Sequence, residues 1–300
     1  MKTKLKKALI LGGSGMLGRD IVAIFSKKFI IKSTHFLNPT YEDSIFFDVQ
    51  KNPELLNKLI SEFKPDIIVN CIAIVALNYC EEEPSICKRI NGGFCGSIVQ
   101  AVKDAGLEDR CCLMHISTDS IYCEKNINNH SYKETDNLCS NNMYSRSKII
   151  GERAYSNYNG RKLLIRTAIY GSKSKPGKGL LNWIVSSIKS NNAITGWTNV
   201  FFSPISTYRL SLILLDLLES NASGVFNVGS EDYCSKYEFI QQVINNFGSK
   251  CKFKPEIYKN NEDRCFRPLS TILDVNKVQA YTKNVRSWSE DLSIYLSKNY

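Results

Sequence analysis

Short apolar runs alternate with longer amphipathic stretches along the first half of the chain. Strand-like runs fall at residues 8–11, 29–35, 45–49, 66–71, 111–117 and 162–166. They are β-branched and nearly continuous in apolar character, as expected of strands buried on both faces. Between them lie helix-like segments at 16–26, 53–63, 84–105 and 143–155. This β-α-β-α order predicts an α/β fold, a Rossmann-type doubly wound parallel sheet. Beyond a polar, basic loop at 171–179 the alternation becomes irregular. A strand at 225–229 and helices at 211–220, 236–247 and 288–297 remain legible. The expected organisation is a dinucleotide-binding domain over 1–168 plus about 205–228, with a smaller C-terminal α/β substrate-binding domain over 169–204 and 229–300. The smaller part would pack over the carboxyl edge of the sheet, where such sheets bind ligands.

Composition narrows the class. Hydrophobic residues at 43% and charged residues at 23% describe a soluble globular chain of 300 residues. No apolar run approaches the ~18 residues a membrane helix needs. The N-terminal lysines precede only Ala8-Leu9-Ile10-Leu11 before Gly12, too short for a signal-peptide core. Eleven cysteines, an odd number without C-x-x-C or zinc spacing, read as buried reduced thiols of a cytoplasmic protein, Cys71, Cys95, Cys111 and Cys112 among them. No metal site is expected. The net charge of +10 raises nucleic-acid binding, but the lysines are scattered and no RNP-like aromatic pattern accompanies them. A partner bearing phosphates, such as a phosphorylated small molecule, suits the charge equally well.

Gly12, Gly15 and Gly18 form G-x-x-G-x-x-G between the first strand and the first helix. Such a turn lets backbone approach a pyrophosphate at a helix N-terminus; a plain βα turn is the alternative. Ser14, Met16 and Leu17 lie within it. The second strand ends without the carboxylate that NAD enzymes place there. Lys32, Ser33 and His35 stand instead, with Arg19 after the turn, which favours NADPH, with NADH as the alternative. Asp48 and Val49 end the third strand, where Asp48 could accept from an adenine amino group or cap the next helix. Asn70-Cys71-Ile72-Ala73 ends the fourth, where Cys71 and Ala73 would lie against the cofactor. The fifth strand ends in Ser117-Thr118-Asp119-Ser120. Tyr144 and Lys148 are one helical turn apart on a common face. A lysine ammonium beside the phenol would draw the tyrosine pKa down toward neutrality, as a general acid or base needs; an amphipathic surface pair is the bland alternative.

These motifs together resemble the extended short-chain dehydrogenase/reductases. The segments 165–171 (IRTAIYG), 201–207 (FFSPIST), 224–230 (GVFNVGS) and 267–274 (RPLSTILD) resemble the dTDP-4-dehydrorhamnose reductase (RmlD-like) group of sugar-nucleotide reductases. The resemblance implies Thr118, Tyr144 and Lys148 as the catalytic three, with Tyr144 giving a proton to a keto oxygen and Lys148 also binding the nicotinamide ribose. It implies a nucleotide-diphosphate sugar as substrate, no nucleic acid or membrane partner, and a homodimer. Asp119, Ser120, Trp197 and Arg267 are its substrate-side candidates, Arg267 as a phosphate contact or, alternatively, a structural ion pair. Two segments depart from the group. Tyr-Val-Phe-Asp-Gly after the triplet is here Ser-Ile-Tyr-Cys-Glu (120–124), and 195–199 lacks the usual Asp-Gln. GDP-fucose synthases look to carry a catalytic Cys where Ser120 stands, so reduction without epimerisation is expected. A sugar-nucleotide epimerase or dehydratase of the same fold, and a non-catalytic regulatory NADP-binding subunit, are the competing functions.

Overall fold

The computed structural model describes residues 5–39, 41–123, 131–140, 142–172, 179–260 and 265–300. Glu124 and most of the basic loop, 173–178, lie outside these. The first half runs β1 (Lys7–Leu11), α1 (Met16–Phe25), β2 (Ile30–His35), β3 (Ile45–Phe46), α2 (Leu55–Phe63), β4 (Ile67–Asn70), α3 (Leu77–Glu82), α4 (Pro84–Cys87), α5 (Phe94–Asp104), β5 (Cys112–Ile116) and α6 (Met143–Ser156). It continues with β6 (Lys162–Tyr170), α7 (Leu180–Lys189), β7 (Ile194–Trp197), β8 (Phe201–Phe202), β9 (Pro204–Ser206), α8 (Thr207–Glu219) and β10 (Gly224–Val228). Last come β11 (Cys234–Ser235), α9 (Lys236–Asn246), β12 (Phe253–Glu256), β13 (Ser270–Thr271), α10 (Asn276–Gln279) and α11 (Trp288–Asn299).

The main sheet is parallel, in the order β10-β6-β5-β4-β1-β2-β3, with β9 added beside β6. Its strands are apolar on both faces because both faces are covered. Alternate residues serve different cores. Ala8, Ile10, Ile67, Val69, Cys112, Met114, Leu163 and Ile165 pack with α1 and α8. Leu9, Leu11, Ile68, Leu113 and Leu164 pack with α2, α5 and Tyr155 of α6. The chain reverses its direction of travel across the sheet between β1 and β4, which opens a crevice at the carboxyl ends of these strands. A third core joins Leu181, Ile184, Phe202, Phe239, Ile240, Val243 and Leu292 beneath the small β7/β12 and β8/β11/β13 sheets.

Several elements differ from expectation. The third strand stops at Phe46, so Asp48 and Val49 lie in the turn after it. Strand β6 runs on to Tyr170 because β10 pairs with its first part and β9 with Ala168–Tyr170. The helix expected over 84–105 is broken into α4, a wide π-turn at Lys88–Gly93 and α5. Adjacent Gly92 and Gly93 weaken the helix there, and the Asn91 side chain leaves it to bond Ile74 and Ser147.

The expectation of reduced thiols throughout is corrected at one pair: Cys123 and Cys139 form a disulfide. The antiparallel bridge between Tyr122 and Leu138 sets the two side by side, with Cys123 N–H donating to the Asn137 carbonyl and Cys139 N–H to that of Ile121. Cys71, Cys95, Cys111 and Cys112 are free. No helix among the described residues is long and apolar enough to cross a membrane.

Candidate active site

The glycine turn sits at the crevice between β1 and β4. Gly12 has φ +82°, a left-handed conformation that favours glycine. A Cβ on Gly18 would fall 2.2 Å from the Gly12 carbonyl oxygen, so α1 rests against the turn only through glycine. Helix α1 begins at Met16 with Gly15 as its N-cap and no side chain capping it. Its first amides are therefore presented as backbone donors, the arrangement that receives an anion. Ser14 and Arg19 flank the turn, the Arg19 Nε donating to the Ser14 carbonyl at 3.2 Å. Leu17 and Gly18 are buried beneath it.

The basic residues proposed for a ribose phosphate do not converge. The Lys32 ammonium lies over the Phe63 ring, 4.9 Å from its centroid. His35 is engaged through Nδ1 with Ser44 Oγ at 2.9 Å, and Ser33 is buried against Gly13. Strand alternation sends Lys32 away from the turn. Of the four, Ser33 and Arg19 lie beside the turn, and Arg19 is the one of them that carries a charge. Asp48 is buried and closes its own turn, accepting from Gln50 N–H at 2.9 Å. It does not cap α2, whose N-cap is Glu54. Val49 packs against the second core. Cys71 and Ala73 follow β4 at the crevice, and burial pushes the Cys71 thiol up to about 12.

At the end of β5 the chain turns through Thr118 into a short 3₁₀ segment, Asp119–Ile121. Thr118 and Asp119 are buried. The Thr118 and Asp119 side chains bond at 3.1 Å, and Ser120 Oγ donates to the same carboxylate oxygen at 3.2 Å. Burial raises the pKa of Asp119, opposed by hydrogen bonding from Thr271 and by Lys236. Helix α6 begins with a capping box, Asn142 and Ser145 satisfying each other's amides. That fixes Tyr144 in its first turn, with its phenol beside the Thr118 side chain.

Lys148 is fully buried. Its ammonium does not settle on the phenol as the helical spacing predicts. It donates to the Ile116 carbonyl at 2.6 Å and lies 3.2 Å from His115 Nε2. Burial lowers the Lys148 pKa and raises that of Tyr144, the latter opposed by Thr118 and reinforced by Asp119. The direction at Tyr144 is thus opposite to expectation: desolvation is the largest cause, and the phenol keeps its proton. A protonated phenol is the form a proton donor requires.

One turn further along α6, Glu152 accepts from Ser117 Oγ at 2.5 Å and pairs with Arg166 at 2.8 Å, both partners buried. Arg166 also reaches the Tyr122 hydroxyl at 3.0 Å. This pair locks α6 to β5 and β6 below the Thr118–Tyr144 contact.

The smaller core supplies the opposite wall. The Arg267 guanidinium lies 6.0 Å from the centre of the Trp197 ring, and Trp197 packs on Tyr258 at 4.6 Å. Two candidates separated by 70 residues in the sequence are thereby brought together. Lys236, absent from the candidates, belongs here too. Its ammonium sits 3.1 Å above the Phe202 ring. Burial pulls its pKa down to about 8, with Asp119 opposing the shift and Arg267 adding to it. The only local signal is its place after Ser235, the N-cap of α9; its partner Asp119 is 117 positions away.

A phosphate-type glycine turn and a Thr-Tyr-Lys group with Thr118 and Lys148 buried, set at one sheet edge and faced by a cationic second wall, define a Rossmann-type protein of the dehydrogenase/reductase kind. The family model described as the RmlD substrate binding domain matches residues 6–300, and the chain belongs to that family. It is similar to a probable low-salt glycan biosynthesis reductase, Agl14, of Haloferax volcanii, 24% identical over 91% of each chain. It is also similar to the methionine adenosyltransferase 2 subunit beta of Rattus norvegicus, 23% identical over 91% of this chain and 82% of that one. Among solved structures it superposes on a dTDP-4-dehydrorhamnose reductase of Bacillus anthracis in complex with NADP. That match has a TM-score of 0.85, 21% identity, and coverage of 99% of this chain and 100% of the other.

Proposed function

We propose that this chain is a reductase of a nucleotide-linked 4-keto-6-deoxy sugar that uses NADPH. The observation that carries this reading is the Tyr144 phenol set against the buried Thr118 side chain, at the carboxyl edge of the sheet beside the glycine turn. Family membership and the relatives above support the substrate class. The residues fit the cofactor. Gly12, Ser14, Gly15, Met16, Leu17 and Gly18 form the turn for the pyrophosphate, and Arg19 is placed for a ribose phosphate. Asp48 and Val49 would flank the adenine, and Cys71 and Ala73 would line the cleft. When bound, the reduced nicotinamide supplies the hydride that adds to the keto carbon.

The chain's own residues do the rest. Thr118 and Tyr144 present two hydroxyls to the keto oxygen, which polarises the carbonyl. Tyr144 then passes its phenolic proton to that oxygen as it gains charge. Lys148, fixed behind Tyr144, stabilises the phenolate that remains and holds the nicotinamide ribose. Asp119 and Ser120 face the sugar. Trp197, Arg267 and Lys236 form the wall for the nucleotide diphosphate. Ser120 offers a hydroxyl, a poor base at neutral pH, so the reading is reduction without epimerisation.

The test is oxidation of NADPH, followed at 340 nm, with dTDP-, UDP- and GDP-linked 4-keto-6-deoxy sugars. One sugar nucleotide turned over by the wild type and not by Tyr144→Phe is the expected result. NADPH binding with no turnover of any of them would overturn the reductase reading in favour of a regulatory subunit.

A further inference from the structure

Beneath Lys148 lies a buried polar chain that the proposed reaction does not use. His115, on β5, is completely buried, and so are Cys95 and Asn91; Asn70 is 1% exposed. The imidazole stacks on Tyr155, with ring centroids 5.2 Å apart. Its two nitrogens face different partners. Nε2 is 3.2 Å from the Lys148 ammonium. Nδ1 is 3.7 Å from Cys95 Sγ and 3.4 Å from Asn70 Nδ2.

The ammonium at Nε2 determines the tautomer, since it can only donate and Nε2 must accept. Asn70 Oδ1 accepts from Ile72 N–H at 3.1 Å, which turns Asn70 Nδ2 toward Cys95 Sγ at 3.6 Å. The Cys95 thiol donates to the Asn91 carbonyl at 3.4 Å, leaving its sulfur lone pairs to accept. With the lone pair on Nε2 the proton sits on Nδ1, for which Cys95 Sγ at 3.7 Å is the acceptor, the Asn70 amide nearby being itself a donor. The opposite tautomer would set an N–H against the Lys148 ammonium. Burial and the Lys148 charge both hold the imidazole neutral. The site is shaped for this contact: a Cβ on Gly151 would fall 2.6 Å from the Asn91 carbonyl oxygen, 3.1 Å from Cys95 Sγ and 3.3 Å from His115 Nε2.

We propose that His115 is a positioning residue for Lys148. As a neutral imidazole protonated at Nδ1, it takes one ammonium hydrogen at Nε2 while the Ile116 carbonyl takes a second, leaving the third directed toward the phenol and the nicotinamide ribose. Cys95 acts one step further back by accepting from the Nδ1–H. The inference rests on the proposed role of Lys148.

Two variants separate positioning from packing. His115→Phe keeps a ring to stack on Tyr155 and removes the acceptor. His115→Gln can return a carbonyl oxygen to the place of Nε2. His115→Phe should bind NADPH more weakly in a fluorescence titration and lose turnover on the order of 10²-fold, the scale of a small misplacement of a catalytic group. His115→Gln should recover most of both. A folded His115→Phe with wild-type affinity and turnover would overturn the inference, and so would equal impairment of the two variants.

Nitrogen-15 NMR of the wild type, which has only three histidines, gives a readout independent of variant folding. The neutral Nδ1–H form of one histidine is expected, whereas an Nε2–H form or an imidazolium at His115 would overturn it. Lys148→Met and Tyr144→Phe, run alongside, keep the two readings apart. If both turn over like the wild type, the reductase reading fails. If both are inactive while His115→Phe is unimpaired, only the inference about His115 fails.

Discussion

The floor and the mouth of the site are built on different physics. Below Tyr144, cations meet hydrogen-bond acceptors in a desolvated interior: Lys148 on the Ile116 carbonyl and His115, Arg166 on Glu152 and Tyr122. At the mouth, cations rest over aromatic faces, Arg267 over Trp197 and Lys236 over Phe202. A cation over a ring contributes about 0.5–2 kcal/mol, whereas breaking a buried ion pair costs about 3–5 kcal/mol. The floor is therefore over-determined and suited to holding reacting groups still. The mouth holds its cations by ring contacts that are individually weaker. The floor should govern kcat and folding, and the mouth should govern KM and the choice of substrate.

The largest effect expected from breaking the floor is at Tyr144. Tyr144→Phe should lower kcat by about 10²–10⁴-fold, the usual range for a lost general acid, with NADPH affinity in a fluorescence titration close to wild type. A variant that keeps its kcat would remove the floor from the chemistry altogether. Glu152→Gln acts on the same region through stability. It leaves Arg166 buried without its carboxylate, and a loss of about 3–5 kcal/mol should appear as a fall in Tm of roughly 5–10 °C by calorimetry. An unchanged Tm would mean that the pair is not the lock between α6 and the sheet.

The mouth should respond the other way. Arg267→Ala should raise KM for the sugar nucleotide about tenfold, the equivalent of one charge-assisted hydrogen bond. Its kcat should stay within about threefold and its Tm near wild type. A fall in kcat with KM unchanged would move Arg267 from substrate binding to the support of the floor.

The same division governs what the sequence made legible. The turn at Gly12, Gly15 and Gly18 is local: strand, glycines and helix follow one another, and the pattern carries its own context. The Tyr144–Lys148 spacing is local as well, and it correctly put both residues on α6. It could not show where the ammonium would go, because His115 lies 33 residues away on another element and competes with the phenol for the same cation. Burial then reversed the direction expected for Tyr144. Lys32 read as cofactor-facing until strand alternation turned it onto Phe63. The Cys123–Cys139 disulfide has no spacing signature, since a single antiparallel bridge between Tyr122 and Leu138 creates it. The two-residue strands β8, β11 and β13 exist only because they pair with one another, and a run that short carries no period of its own. The wall holding Lys236 was therefore the least legible part of the molecule.

Lys236 gives the smallest and most specific test of the comparison. Burial holds its pKa down to about 8, while Asp119 and Cys234 pull it back up and Arg267 pushes it further down. In the unfolded chain the same ammonium keeps its proton to about 10.4. The unfolded state thus binds more protons between these values, and Lys236 contributes a rise in stability as pH passes from about 8 to 10.4. Below that window the charged, partly desolvated ammonium is a burden on folding, so Lys236→Met should be slightly more stable than wild type at pH 7. Binding has the opposite sign. An anionic sugar nucleotide needs the charged form, so KM should be flat below pH 7 and climb as pH passes about 8. That inflection should be missing from Lys236→Met, whose KM is already raised at pH 7. A wild-type KM that stays level from pH 7 to 9 would show that Lys236 does not meet the substrate. The mouth would then rest on Arg267 and Trp197, and the lysine over Phe202 would be a structural cation like those of the floor.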